Sequence, residues 1–153
     1  METTLCHIIN GNKVLLKMAA RGVSKGKWNG LGGKIDNGES PKQSAIREVR
    51  EESGLVVKDM RERGTLYFYK GSRDILFVKM HLFSATKFDG KLTESDEGKL
   101  KWFNLDKLPY DEMWDDDRFW WPLMFDGLKF EGEFVFDQEM NRVVSYSISK
   151  IER

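Results

Sequence analysis

The order of elements along this chain predicts an α/β fold, a mixed β-sheet sandwiched between helices (α/β/α). Three observations carry that expectation. Hairpin signals stand near both ends, a well-capped helix follows the first hairpin, and a second short amphipathic helix precedes the last one. With 153 residues the chain suits one domain with its own core. No linker or repeat divides it, so a single domain over 1–153 is expected.

Taken in order, Leu5–Ile9 and Lys13–Met18 flank Asn10-Gly11, a strong short hairpin signal. Ser40-Pro41-Lys42-Gln43 reads as a helix start: Ser40 suits the N-cap, Pro41 the first turn, and Gln43 completes a capping box. Gly54 can end that helix in the left-handed conformation. Thr65–Tyr69 and Ile75–Ser84 read as antiparallel strands turning near Gly71-Ser72. A polar loop from Asp89 to Gly98 leads to a short strand through Trp102 and Phe103. Leu105–Leu108 reads as a helical turn stopped by Pro109, and Asp117–Phe125 as the short amphipathic helix. Phe130–Phe136 and Val143–Ile148 make the closing hairpin.

Composition excludes several classes. Lys plus Arg and Asp plus Glu both number 25, so the strong positive field of a non-specific nucleic-acid binder is absent. The single Cys6 rules out an internal disulfide and suits a reducing compartment. No apolar run reaches about 18 residues, and no basic-then-apolar leader opens the chain. No membrane association is expected, a cytoplasmic address is, and so is a monomer. His7 and His81 in strands, and Cys6, read as structural.

One stretch carries chemistry. From Gly33 to Leu55 the chain reads Gly-x5-Glu-x7-Arg-Glu-aliphatic-x-Glu-Glu-x-Gly-aliphatic, through Gly33, Glu39, Arg47, Glu48, Val49, Glu51, Glu52, Gly54 and Leu55. At ordinary residue frequencies this pattern would arise by chance in on the order of one in 10^8 chains of this length. Glu48, Glu51 and Glu52 at i, i+3 and i+4 share a helix face, with Ala45, Val49 and Ile46 as the buried stripe. Carboxylates late in a helix lie at the negative end of its dipole, where they are least welcome. A hard divalent cation resolves that conflict. Arg47 stands four residues before Glu51 and can brace it. The glycines of Trp28-Asn29-Gly30-Leu31-Gly32-Gly33-Lys34 would let backbone approach a metal or phosphate closely, and a tight strand-to-loop turn is the plainer alternative.

The pattern resembles the Nudix box, the catalytic motif of hydrolases that cleave nucleoside diphosphates linked to another group. The resemblance implies the Nudix fold, Mg²⁺ (or Mn²⁺) as cofactor, Gly32, Glu48, Glu51, Glu52 and Glu97 as metal ligands, and Glu48, Glu51, Glu52 and Arg47 as catalytic residues. The metal would neutralise phosphate oxygens and acidify a water whose proton a glutamate takes. A nucleoside triphosphate would yield a monophosphate and pyrophosphate.

A second region, Met113 to Leu123, together with Gly26 to Gly30, is similar to the mammalian oxidised-purine nucleoside triphosphatases, the MutT homologues of this family. That likeness runs over nearly the whole chain. It implies that Asn29, Asp116 and Asp117 hydrogen-bond a purine, that Trp114 stacks on it, and that Phe68 lines the pocket. From the residues alone, a helix-capping role for Asp116 and Asp117 stands equally open. Crowding of Asp115, Asp116 and Asp117 should raise at least one pKa, and a neutral carboxyl both donates and accepts. The chain departs from these relatives at Ala19, where they carry Lys, at Val23, where they carry an aromatic, and at Asp115, where they carry Pro.

The expected function is therefore hydrolysis of oxidised purine nucleotides (8-oxo-dGTP, 2-oxo-dATP), which sanitises the nucleotide pool. The alternatives are other Nudix substrates, namely 5′-triphosphorylated RNA, ADP-ribose or an unmodified dNTP, and a binding module that has lost catalysis.

Overall fold

The computed structural model describes residues 1–151; residues 152 and 153, which the single-domain expectation includes, lie outside the described residues. The chain opens with β1 (Glu2–Asn10) and β2 (Lys13–Ala19), then β3 (Trp28–Asn29), β4 (Leu31–Lys34) and α1 (Pro41–Ser53). β5 (Val56–Val57), β6 (Arg61–Lys70), β7 (Leu76–Ala85), β8 (Phe88–Asp89) and β9 (Gly98–Asn104) follow. A 3-10 turn at Tyr110–Glu112 leads to α2 (Asp117–Phe125), β10 (Lys129–Phe136) and β11 (Val143–Ile151).

The main sheet runs β11-β10-β6-β7-β1-β2-β3, with β4 added to β1 and β9 to β2. It is mixed: β1 pairs with β7, and β6 with β10, in parallel, and the other pairings are antiparallel. Side chains alternate across it. Cys6, Ile8 and Leu15 face α1 with Ala45 and Val49, while Leu5, Val14 and Leu16 join Trp120, Trp121 and Met124 of α2. Two hydrophobic layers thus lie on opposite sides of one sheet, and the sandwich expected from the sequence is present.

β1 carries two partners along one edge. Its Ile8–Asn10 end pairs with β2, while Thr3–Cys6 pairs with β4. β2 therefore parts from β1 after a few residues, and β3 and β4 fill the widening gap. That gap is where the site forms.

Three local expectations need correction. The stretch Trp28–Lys34 is not a tight turn: Asn29 pairs with Lys17, and Leu31–Lys34 is a strand on β1. Glycine hides that strand because it lacks strand propensity, yet a Cβ on Gly32 would overlap the Thr4 carbonyl, so glycine is what lets β4 close on β1. The first hairpin turns at Gly11-Asn12 with Asn10 still paired to Lys13, and Gly11 takes φ +63°. The helical turn falls after Pro109, at Tyr110–Glu112, because the residue before a proline is driven out of the helical region. In addition, β5 and β8, which the sequence does not announce, pair in a small separate sheet.

Candidate active site

α1 begins and ends as its sequence dictates. Ser40 Oγ accepts from the Gln43 amide and Gln43 Oε1 from the Ser40 amide, at 3.1 and 2.9 Å. Gly54 closes the helix at φ 79°, its amide donating to the Arg50 carbonyl. These caps fix where the acids fall. Glu51 is exposed, Glu48 has turned partly inward, and Glu52 is only 3% exposed. The three acids therefore do not share one solvated face; Glu52 points at the sheet.

Each acid is held by a cation or an amide. Arg47 reaches further than a brace on Glu51: its guanidinium donates to Glu39 (2.6 and 3.0 Å), Glu48 (2.7 Å) and Glu51 (3.1 Å). Glu52 Oε1 accepts from the Gly32 amide at 3.0 Å, and Lys17 donates to Oε2. Burial raises the pKa of Glu48 against the opposing pull of Arg47. Burial also pushes Glu52 up to about 7, with Lys17 holding it down. Glu97 sits in an exposed turn whose carbonyl accepts from the Ala20 amide at 3.0 Å, and its charge is felt at Glu48.

The donor set fits a hard divalent cation. Carboxylate oxygens of one helix lie over the backbone of β4, and a Cβ on Gly33 would come within 2.7 Å of Glu48 Oε2. Glycine thus leaves that oxygen open toward the strand, and oxygen ligands are what Mg²⁺ selects. Among the described residues, no three His, Cys, Asp or Glu side chains already converge as a cage; Arg47 and Lys17 pair with the carboxylates instead.

A cavity of about 290 Å³ opens beside this cluster. Its lining includes Lys17, Gly32, Gly33 and Lys34 together with Asn29, Phe68, Trp114, Asp116 and Asp117. All five residues expected to bind a base therefore meet in one hollow. Asn29 Oδ1 accepts from the Gly30 amide at 2.9 Å. Trp114 Nε1 donates to Ser24 Oγ at 3.0 Å, and the Lys27 ammonium lies 5.2 Å from its ring centre.

Asp116 and Asp117 are buried, and neither caps α2: Asp116 makes no side-chain cap bond. Asp116 Oδ2 instead accepts from Trp120 Nε1 at 2.8 Å, while Asp117 Oδ2 is buried without a partner among the described residues. Burial raises the pKa of both acids, and the Asp116 charge beside it raises that of Asp117 further. Asp115, the departure from proline, accepts from the Val143 amide at 2.8 Å and pairs with Arg118 at 3.3 Å. It ties the final hairpin to the acid run. Ala19 and Val23 line the same cavity.

Both histidines and the cysteine hold structural places. His7 is fully buried against Trp120 and Trp121 and kept neutral by burial, at a pKa of about 3. His81 meets Glu2 at 2.6 Å. Cys6 lies in the core, its thiol pushed up by burial.

Sequence reasoning missed Lys17, Phe77, Met80 and Met140 of the cavity wall. For Lys17 a signal existed: it follows buried Leu15 by two positions, so strand alternation puts it on the α1 side. The other three are brought in from distant segments by strand pairing, which no local pattern announces.

The NUDIX domain family matches residues 2–122. The oxidized purine nucleoside triphosphate hydrolases of Danio rerio and Mus musculus are each 40% identical over 150 residues, covering 97% of this chain and 94% of theirs. A solved structure of a MutT mutator protein from Bacillus halodurans superposes at a TM-score of 0.85 with 26% identity, covering 97% of both chains.

Proposed function

The chain belongs to the Nudix family of hydrolases, and on that premise we propose that it cleaves oxidised purine nucleoside triphosphates, such as 8-oxo-dGTP and 2-oxo-dATP, to the monophosphate and pyrophosphate. Nudix hydrolases generally need a divalent metal, and we take Mg²⁺ as the ion used here, with Mn²⁺ able to replace it. The reading takes 1–153 as one domain working as a cytoplasmic monomer. No helix among the described residues is long and apolar enough to cross a membrane.

One observation carries this reading: a single cavity joins a buried aspartate pair to the glycine strand beneath the box glutamates. Glu48, Glu51 and Glu52, with the Gly32 carbonyl and Glu97 nearby, are the groups that would hold the metal. Bound there, the cation screens phosphate charge and makes the attacking water more acidic. A box glutamate accepts the proton that water gives up as its oxygen joins phosphorus. The bond from phosphorus to the bridging oxygen then breaks, and pyrophosphate separates from the nucleotide. Arg47 keeps Glu48 and Glu51 in place by direct hydrogen bonds, so its part is positioning.

At the other end Trp114 and Phe68 clasp the purine, and Asn29, Asp116 and Asp117 meet its edge. A protonated Asp117 beside Asp116 offers donor and acceptor together. An oxidised base, whose added oxo group changes its donor pattern, suits such a pair. The zebrafish and mouse relatives carry the name of this activity.

The test follows pyrophosphate release with Mg²⁺ across 8-oxo-dGTP, 2-oxo-dATP, dGTP, ADP-ribose and triphosphorylated RNA, with Glu52→Gln as control. The oxidised purines are expected to turn over fastest, and the control to lose activity by about a hundredfold or more. Preference for dGTP, ADP-ribose or RNA would overturn the substrate assignment. Asp117→Ala should lower turnover of the oxidised bases selectively.

A further inference from the structure

Lys17 does work that the box does not describe. It sits on β2, directly opposite Asn29 of β3 in the strand register. Its ammonium pairs with Glu52, whose side chain is 3% exposed while that of Lys17 is 14% exposed. It also lines the cavity. One cation thus stands beside the amide proposed to meet the base and pairs with the carboxylate proposed to meet the metal. A nucleotide with its base at Asn29 and its phosphates at α1 would lie against it.

Glu52 Oε2 cannot serve Lys17 and a divalent cation equally well. In the present arrangement the ammonium neutralises a buried carboxylate, which would otherwise be costly to leave unpaired. A divalent cation taking that oxygen displaces the ammonium and meets its repulsion at short range. A phosphate arriving in the cavity gives the displaced ammonium a new anion. Resting on the Nudix reading above, we propose that Lys17 is a positioning residue that couples the metal to the triphosphate: it guards Glu52 until substrate phosphate draws it away.

The coupling is reciprocal, as linkage requires. Metal binds weakly to the free protein because Lys17 competes for Glu52. Metal binds tightly once a phosphate holds the ammonium. The substrate in turn binds better after metal has freed Lys17. The strand position makes the exchange short, since the ammonium need only swing from α1 toward the cavity it already borders.

Mn²⁺ binding, read by electron paramagnetic resonance, tests this without turnover. The wild-type protein is titrated alone and then with the α,β-imido analogue of 8-oxo-dGTP, which cannot be cleaved at that bridge. Wild type is expected to bind Mn²⁺ about tenfold or more tightly with the analogue present. Lys17→Gln keeps a donor for Glu52 but removes the charge. It should bind Mn²⁺ roughly fivefold tighter in the absence of nucleotide and lose most of the coupling. Lys17→Arg, which keeps the charge, should retain the coupling. Equal Mn²⁺ affinity with and without analogue in wild type would overturn the role of Lys17, a result that needs no variant to fold. Undiminished coupling in Lys17→Gln would overturn it equally. Failure of wild type to bind Mn²⁺ under either condition would instead defeat the metal-dependent reading itself.

Discussion

Two adjacent glycines of β4 divide structure from chemistry. A Cβ on Gly32 would run into the Thr4 backbone, which cannot yield without parting β4 from β1. A Cβ on Gly33 meets only the end of the Glu48 side chain, which can swing aside. Gly32→Ala should therefore cost several degrees of melting temperature, as backbone clashes do. Gly33→Ala should keep its melting temperature within a few degrees yet lose activity by about tenfold or more, because Glu48 is displaced. Thermal unfolding alongside kcat separates the two; equal thermal losses would show that Glu48 does not depend on an open Gly33.

The aspartate pair makes its own prediction at this scale. Asp116 and Asp117 hold protons in the folded protein at pH values where an unfolded chain has released them. The unfolded state then binds fewer protons, so stability falls as pH rises above about 4, the ordinary aspartate range. Asp117→Asn removes the more strongly raised group. Its unfolding free energy should exceed that of wild type at pH 8, with the difference shrinking toward pH 4. Urea titrations at several pH values check this. A constant difference would mean that Asp117 is ionised in the folded state.

At the scale of elements, the acidic helix is fixed at both ends by local chemistry. Ser40→Ala removes one partner of the capping box and should cost about 1 kcal/mol of stability, measured by urea unfolding, with kcat unchanged. A loss of kcat would show that the cap also sets the position of the acids. This helix was legible in the sequence because each of its signals, from Ser40 to Gly54, acts within a few residues. β4 was not, since two glycines in a four-residue strand carry no side-chain pattern, and only pairing with Thr3–Cys6 makes a strand of them. The turn near Pro109 was misplaced for a related reason. Proline marks a boundary without saying which side holds the helical residues.

At the scale of the whole molecule, the site is a product of sheet topology. β1 exchanges β2 for β4 along one edge, and the opening this leaves sets Lys17, Asn29 and Gly32 around one hollow. α2 delivers Asp116 and Asp117 from the opposite face of the sheet, and the final hairpin, tied to Asp115, supplies Phe136 and Met140. The box glutamates were legible from spacing, and the five residues proposed to meet the base, which share the cavity, from the resemblance to the MutT homologues. The pairing of Lys17 with Glu52 was not, because it joins residues 35 apart across two layers.

On the reading proposed above, this one cavity holds a purine at the aspartate pair while presenting its phosphates to the box. A crystal structure of Glu52→Gln soaked with 8-oxo-dGTP and Mg²⁺ tests it most directly. The oxidised base should lie against Asn29, Asp116 and Asp117 beneath Trp114, with the triphosphate running past Lys17 to the metal at Glu48. A nucleotide bound in reverse, or phosphates lodged away from α1, would contradict it.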